Sequence, residues 1–194
     1  EWMPYQSVHG EENRIWVDFN DVPEALWQAV VAIEDHRFFD HQGVDWKRTI
    51  GATLNMFIGT QDTYGGSTIT QQVIKNITKD NSATVNRKVR EIFRALEFEK
   101  NYTKQQILEL YLNTIYLGKG CYGVQTASKY YFGKDVSELS VAECASLIAI
   151  TNNPSMYGPM SEVSITREDG TTITPREANK KRQEIILDRM AGKY

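Results

Sequence analysis

Ten residues, Glu34-Asp35-His36-Arg37-Phe38-Phe39-Asp40-His41-Gln42-Gly43, carry three carboxylates and two imidazoles just after the apolar run Ala29-Val30-Val31-Ala32-Ile33. A carboxylate at the end of an apolar helix costs free energy unless something uses it. Partial burial raises a glutamate's proton affinity and makes it a better base. Glu34 is therefore the first candidate for general-base chemistry. The plain alternative is a capped, solvated helix end, because ion-pair networks also look like sites.

Three further stretches could serve such a base. In Gly65-Gly66-Ser67-Thr68-Ile69-Thr70-Gln71-Gln72-Val73-Ile74-Lys75, two glycines let the backbone approach a ligand and open a helix whose first N–H groups attract anions. Ser67, Gln71 and Lys75 fall at i, i+4 and i+8, so hydroxyl, amide and ammonium share one face. Such a stripe suits a ligand with sugar hydroxyls and a phosphate. A capped amphipathic helix with Ile69, Val73 and Ile77 inward explains the apolar residues well and the adjacent Gln71 and Gln72 poorly. In Arg87-Lys88-Val89-Arg90-Glu91, the spacing of Arg87 and Lys88 from Glu91 fits surface ion pairs, or a second carboxylate held among cations that bind a diphosphate. In the stretch 46–58, Trp46, Ile50, Leu54 and Phe57 recur at helical spacing, either as core or as an interfacial helix with Lys47 and Arg48 near lipid head groups.

Mainly helical elements must position these groups. Pro23 suits a first helical turn leading to Glu34. Asp45 can cap a helix to about Ile58, and Ser67 one through Lys75. Ser82 to Lys100 reads as a long charged helix. Thr103/Gln106, Ser140/Glu143 and Thr174/Glu177 are capping boxes, the last followed by Pro175 and a helix to about Met190. Strand signals are confined to Arg14–Phe19 and to a hairpin over 164–174 turning at Asp169-Gly170. With 194 residues, 41% apolar and 24% charged, the chain reads as one globular domain over 1–194. A net charge of −3 gives no overall basic footprint, so no nucleic-acid partner is expected. Cys121 and Cys144 make no disulfide framework, and Cys144 reads as a small core residue. No apolar run approaches the ~20 residues that span a bilayer. The chain opens on Glu1-Trp2-Met3-Pro4 and is expected to be a piece of a longer, membrane-anchored protein.

Together these pieces resemble the peptidoglycan glycosyltransferase domain (glycosyltransferase family 51) of class A penicillin-binding proteins. Glu34 to Gly43 is similar to the motif E-D-x-x-F-x-x-H-x-G, and Gly65 to Gln72 to G-x-S-T-x-T-Q-Q. Arg87 to Glu91 is similar to R-K-x-x-E, and Lys104 to Asn113 to K-x-x-I-L-E-x-Y-L-N. Leu147 to Pro154 is a looser fifth, and the resemblance covers about residues 20–190. It implies a mainly α, lysozyme-like fold with a membrane-facing jaw at about 44–64, the 164–174 hairpin being an insertion. It implies polymerisation of lipid II into β-1,4 glycan with inversion, the growing strand on undecaprenyl diphosphate being the donor. It implies a location at the extracytoplasmic face of the bacterial membrane.

By this resemblance Glu34 is the general base and Glu91 the second essential carboxylate, which positions the donor, orients cations or holds a divalent ion such as Mg or Mn. No cofactor is otherwise required. Lys75, Arg87, Lys88 and Arg90 are the expected diphosphate contacts, joined by Arg182. Ser67, Gln71 and Gln72 are the expected saccharide and phosphate contacts, and Asn152 lines the groove. Asp35 and His41 are expected to tie the loop after Glu34, and Glu109, Tyr111 and Asn113 to be scaffold. The phosphoglycolipid moenomycin is an expected donor-site ligand. Two departures stand out. Ala83 stands where many relatives carry an Arg, so that phosphate contact is either absent or supplied by Lys79, and the fifth motif, Ile148 to Pro154, lacks the usual Leu-Pro pair.

Overall fold

The computed structural model describes residues 13–51, 66–80, 82, 84–166 and 170–194. Its elements are α1 (Glu24–Glu34), α2 (Ile69–Thr78), α3 (Val85–Asn101), α4 (Lys104–Thr114), α5 (Val124–Phe132), α6 (Val141–Ala149), α7 (Pro154–Tyr157) and α8 (Pro175–Lys193), with further helix at 46–51. Two minimal sheets accompany them. β1 (Asn13–Arg14) pairs in parallel with β2 (Cys121–Tyr122), and β3 (Ile165–Thr166) antiparallel with β4 (Thr172–Ile173). The fold is mainly α, as the motif order predicts.

The helices form two groups. α1 packs against α6 and α8, while α2 packs against α3 and α4. One buried cluster joins them, from Leu26, Val30 and Phe38 through Ile69 and Val73 to Tyr111, Leu112, Leu147, Ile148 and Ile186. Burying each such side chain contributes about 1.5–3 kcal/mol against its exposure. Thr103, Ser140 and Thr174 each close a capping box at the predicted place.

Several local expectations shift. The cap of α2 is Thr68, whose hydroxyl accepts from Gln71 N–H while Gln71 Oε1 accepts from Thr68 N–H. Ser67 stays outside the helix because only Thr68 has a glutamine at the third following position. α3 starts at Val85 behind Thr84, three residues later than its charge pattern implies. The strand expected over Arg14–Phe19 ends at Arg14. Beyond it Asn113 bonds both backbone groups of Val17, and Glu109 accepts from Phe19 N–H and Trp16 Nε1. Cys121 and Cys144 are free and buried, with burial pushing the Cys144 thiol up to about 12.

Asp45 caps the helix at 46–51, accepting from Arg48 N–H at 3.1 Å. Trp46 and Ile50 on it are exposed, so this part of the stripe is not core. Leu54, Phe57 and the rest of the expected jaw from 52 lie outside the described residues, as do Ala83 and the hairpin tip at 167–169. Among the described residues no helix is long and apolar enough to cross a membrane.

Candidate active site

Glu34 ends α1 because Asp35 leaves helical geometry, with φ −156° and ψ 73°. The half-buried Glu34 carboxylate is held at both oxygens. Gln72 Nε2 donates to Oε2 at 3.1 Å and Thr151 Oγ1 lies 2.9 Å from Oε1. Arg48 donates to the Glu34 carbonyl, satisfying one group that the helix end leaves open.

The next residue ties this end to α2. Asp35 is fully buried, and its Oδ2 accepts from Ile69 N–H at 3.1 Å and pairs with His41 Nε2 at 2.9 Å. The loop then returns through Gly43, at φ +84°, where a Cβ would sit 2.5 Å from the Ala95 carbonyl oxygen on α3. Gly43 O accepts from the Thr68 hydroxyl at 2.6 Å. The loop after Glu34 is thus fastened to both α2 and α3.

Glu91 on α3 is buried, with both oxygens engaged by cations: Lys88 Nζ at 2.5 Å and Arg87 Nη1 one turn away. Lys88 Nζ also donates to Ser67 Oγ at 2.8 Å, which joins α3 to the segment before α2. A divalent ion does not fit Glu91 in this arrangement. Among the described residues no group of three His, Cys, Asp or Glu could hold one.

These parts line one cleft of about 530 Å³ between the two helix groups. Its walls are the end of α1 (Ile33, Glu34), Arg48, Ser67, α2 (Gln71, Gln72, Lys75, Asn76), α3 (Arg87, Glu91), Thr151 with Asn152, and α8 (Arg182, Ile185, Arg189). The structure therefore brings together Glu34, Glu91, Ser67, Gln71, Gln72, Lys75, Arg87, Asn152 and Arg182. Lys88 stands behind Ser67 and Glu91 rather than on the cleft surface. Arg90 faces away, exposed, and pairs with Asp80 at 3.5 Å, because 100° per residue turns position 90 off the face shared by 87, 88 and 91. Lys79 caps the C-terminus of α2 in left-handed conformation and does not line the cleft.

Some of these side chains have partners within the fold. Gln72 donates to the Glu34 carboxylate. Gln71 spends its oxygen on the helix cap, and among the described residues its buried Nε2, Arg87 Nε and Arg182 Nε have no hydrogen-bond partner. All three are donors, and an unpaired buried donor costs about 1–3 kcal/mol. Arg182 lies over the Tyr157 ring, 5.3 Å from its centroid, and Lys75 forms no ion pair among the described residues. Beneath, the fully buried Tyr111 hydroxyl is held protonated by burial and then by the charge of Glu34. Asn76, Thr151 and Arg189 join the cleft without having been expected there, and Arg48, expected near lipid head groups on one reading of its helix, lines it as well.

A family model described as Transglycosylase matches residues 3–191. Penicillin-binding protein 1F of Bacillus subtilis (strain 168) is 42% identical over 162 residues, covering 84% of this chain and 23% of that protein. Penicillin-binding protein 4 of the same strain is 38% identical over 194 residues, covering 94% and 31%. Penicillin-binding protein 1A of Streptococcus oralis is 38% identical over 186 residues, covering 94% and 27%. The chain spans less than a third of the length of each of these relatives. A cleft lined by a braced carboxylate and by Lys75, Arg87 and Arg182, in a chain matched almost end to end by one family model, leads to one assignment: this chain belongs to the transglycosylase family.

Proposed function

We propose that this chain is the peptidoglycan glycosyltransferase domain of a longer protein anchored in the bacterial membrane, working at its extracytoplasmic face. Its substrates are lipid II and the growing glycan strand on undecaprenyl diphosphate. The observation that carries the reading is the Glu34 carboxylate, braced by Gln72 and Thr151 at the edge of a cleft whose other walls present Lys75, Arg87 and Arg182.

In this reaction Glu34 takes the proton of the lipid II 4-hydroxyl as that oxygen attacks the anomeric carbon of the strand's terminal sugar. The new C–O bond forms on the face opposite the departing diphosphate, so the carbon inverts without a covalent enzyme intermediate. The old C–O bond breaks with its electron pair going to the diphosphate. Charge gained there is met by Lys75, Arg87 and Arg182, whose positions are set before the reaction begins. Glu91 holds Arg87 and Lys88 in place and so orients those cations.

Lipid II turnover in detergent, with products sized on a gel, tests this. The chain yields a glycan ladder with release of undecaprenyl diphosphate, and Glu34→Gln loses at least ~10²-fold in rate, the scale of general-base catalysis. Near-normal turnover by that variant sinks the assignment of the base. Cleavage of preformed glycan without polymer makes the chain a hydrolase instead. Moenomycin occupies the same cations, and a titration showing no binding at micromolar concentration counts against the donor site.

A further inference from the structure

Thr151 lies 117 residues from Glu34 in sequence, in the turn that follows α6, where the fifth motif departs from the family pattern. Its hydroxyl oxygen sits 2.9 Å from Glu34 Oε1 and 2.8 Å from the Ile148 carbonyl oxygen. A threonine hydroxyl has one proton to give and two lone pairs to accept with. Ile148 O and an ionised Oε1 are both acceptors, so the hydroxyl serves one at a time. Gln72, by contrast, presents an N–H₂ group to Oε2, which only donates.

We propose that Thr151 is a positioning residue for the general base, selecting Glu34 Oε1 as the oxygen that receives the proton and supporting both of its protonation states. This rests on the reading of Glu34 as the base. While Glu34 is ionised, Thr151 O–H donates to Oε1. When the acceptor hydroxyl gives up its proton, a bond forms between that proton and Oε1 and the acceptor O–H bond breaks. Thr151 then turns its own proton to Ile148 O and accepts from the new Glu34 O–H. Oε2 keeps the Gln72 donor throughout and stays the poorer proton acceptor. No heavy atom has to move: only the Thr151 hydroxyl and the new carboxyl O–H turn.

Other charged groups around Glu34 set the background for its titration. They are Arg48, Lys75 on α2, Arg87 and Glu91 on α3, Arg182 and Arg189 on α8, neighbouring Asp35, and the Tyr111 hydroxyl on α4. None of them is altered by a change at Thr151, so a shift on substitution isolates the hydroxyl.

The test compares Thr151→Val, which keeps the shape and removes the hydroxyl, with Thr151→Ser, which keeps it. The readout is the pH profile of lipid II turnover, with thermal midpoints measured alongside. The bond to the ionised carboxylate is charge-assisted and the stronger of the two, so its loss disfavours that form and the acidic limb of the Thr151→Val profile moves to higher pH. Its kcat at the optimum falls about tenfold, the factor for one modest hydrogen bond. KM for lipid II is unchanged, and Thr151→Ser restores both limb and rate. An unmoved limb in Thr151→Val, a loss lying wholly in KM, or equal loss in Thr151→Ser overturns the proposal. With Glu34→Gln inactive, those results leave the base assignment standing; a fully active Glu34→Gln removes both.

Discussion

The cations in and behind the cleft divide into two kinds at the level of single residues. Arg87 and Lys88 are committed to a buried carboxylate, and breaking such a pair costs about 3–5 kcal/mol. Lys75 is exposed, with no carboxylate partner among the described residues. Lys75→Met therefore leaves stability within about 0.5 kcal/mol of the parent, the usual range for surface changes. It still weakens turnover and moenomycin binding together. Arg87→Met loses stability as well as turnover. Denaturant midpoints beside lipid II assays separate the two, and a Lys75→Met variant with parental turnover excludes that ammonium from the donor site. The same distinction explains what sequence could convey. Residue type and spacing bring Lys75, Arg87 and Glu91 together as candidates, but which cations are already satisfied depends on partners across the fold.

Among elements, the loop after Glu34 matters most. Gly43 holds φ +84° with its α-carbon against the α3 backbone, where a methyl would meet carbonyl oxygen and carbon at 2.5 and 2.7 Å. The obstacle is backbone rather than a flexible side-chain tip, so Gly43→Ala must displace the loop or α3. We expect a stability loss of more than about 2 kcal/mol from strain and steric clash, with turnover falling further because Asp35, Thr68 and Glu34 shift together. Parental melting and turnover in Gly43→Ala contradict this geometry. Three helix starts were legible because their chemistry is local: the boxes at Thr103, Ser140 and Thr174 join residues three apart. The cap at Thr68 was equally local, since Gln71 follows at the required spacing, and Ser67 drew attention from it only because two hydroxyls stand side by side. Thr151 was not legible at all. Nothing within its own turn signals a partner at position 34, and only the packing of α6 against α1 supplies one.

Across the whole molecule, stability depends on carboxylates that ionise more readily in the folded state. The Lys134 ammonium, then Ser140 N–H and hydroxyl, hold Glu143 down to about 2 at the start of α6. For Asp45 burial opposes ionisation, yet Arg37 and Arg48 N–H still keep it below the ordinary value. Folded groups of this kind bind protons more weakly than unfolded ones. Their contribution is full above the unfolded values near 4.5 and 3.8 and fades as pH falls through the folded ones. Thermal midpoints should thus be flat above about pH 5 with respect to these two groups and decline below it. Glu143→Gln should lower the plateau and flatten the decline between about pH 4.5 and 2; an unchanged slope there assigns acid sensitivity elsewhere. The meeting of α1 with α6 and α8 also sets an order of events. Synthesis delivers Glu34 first, Thr151 more than a hundred residues later, and Arg182 near the end of this segment. A nascent chain can hold the first four motifs and still lack the Thr151 brace on Glu34 and the far wall of its cleft. Catalytic competence is therefore conferred late, when the last helix docks, and a chain interrupted before that point carries its acidic residues as bystanders.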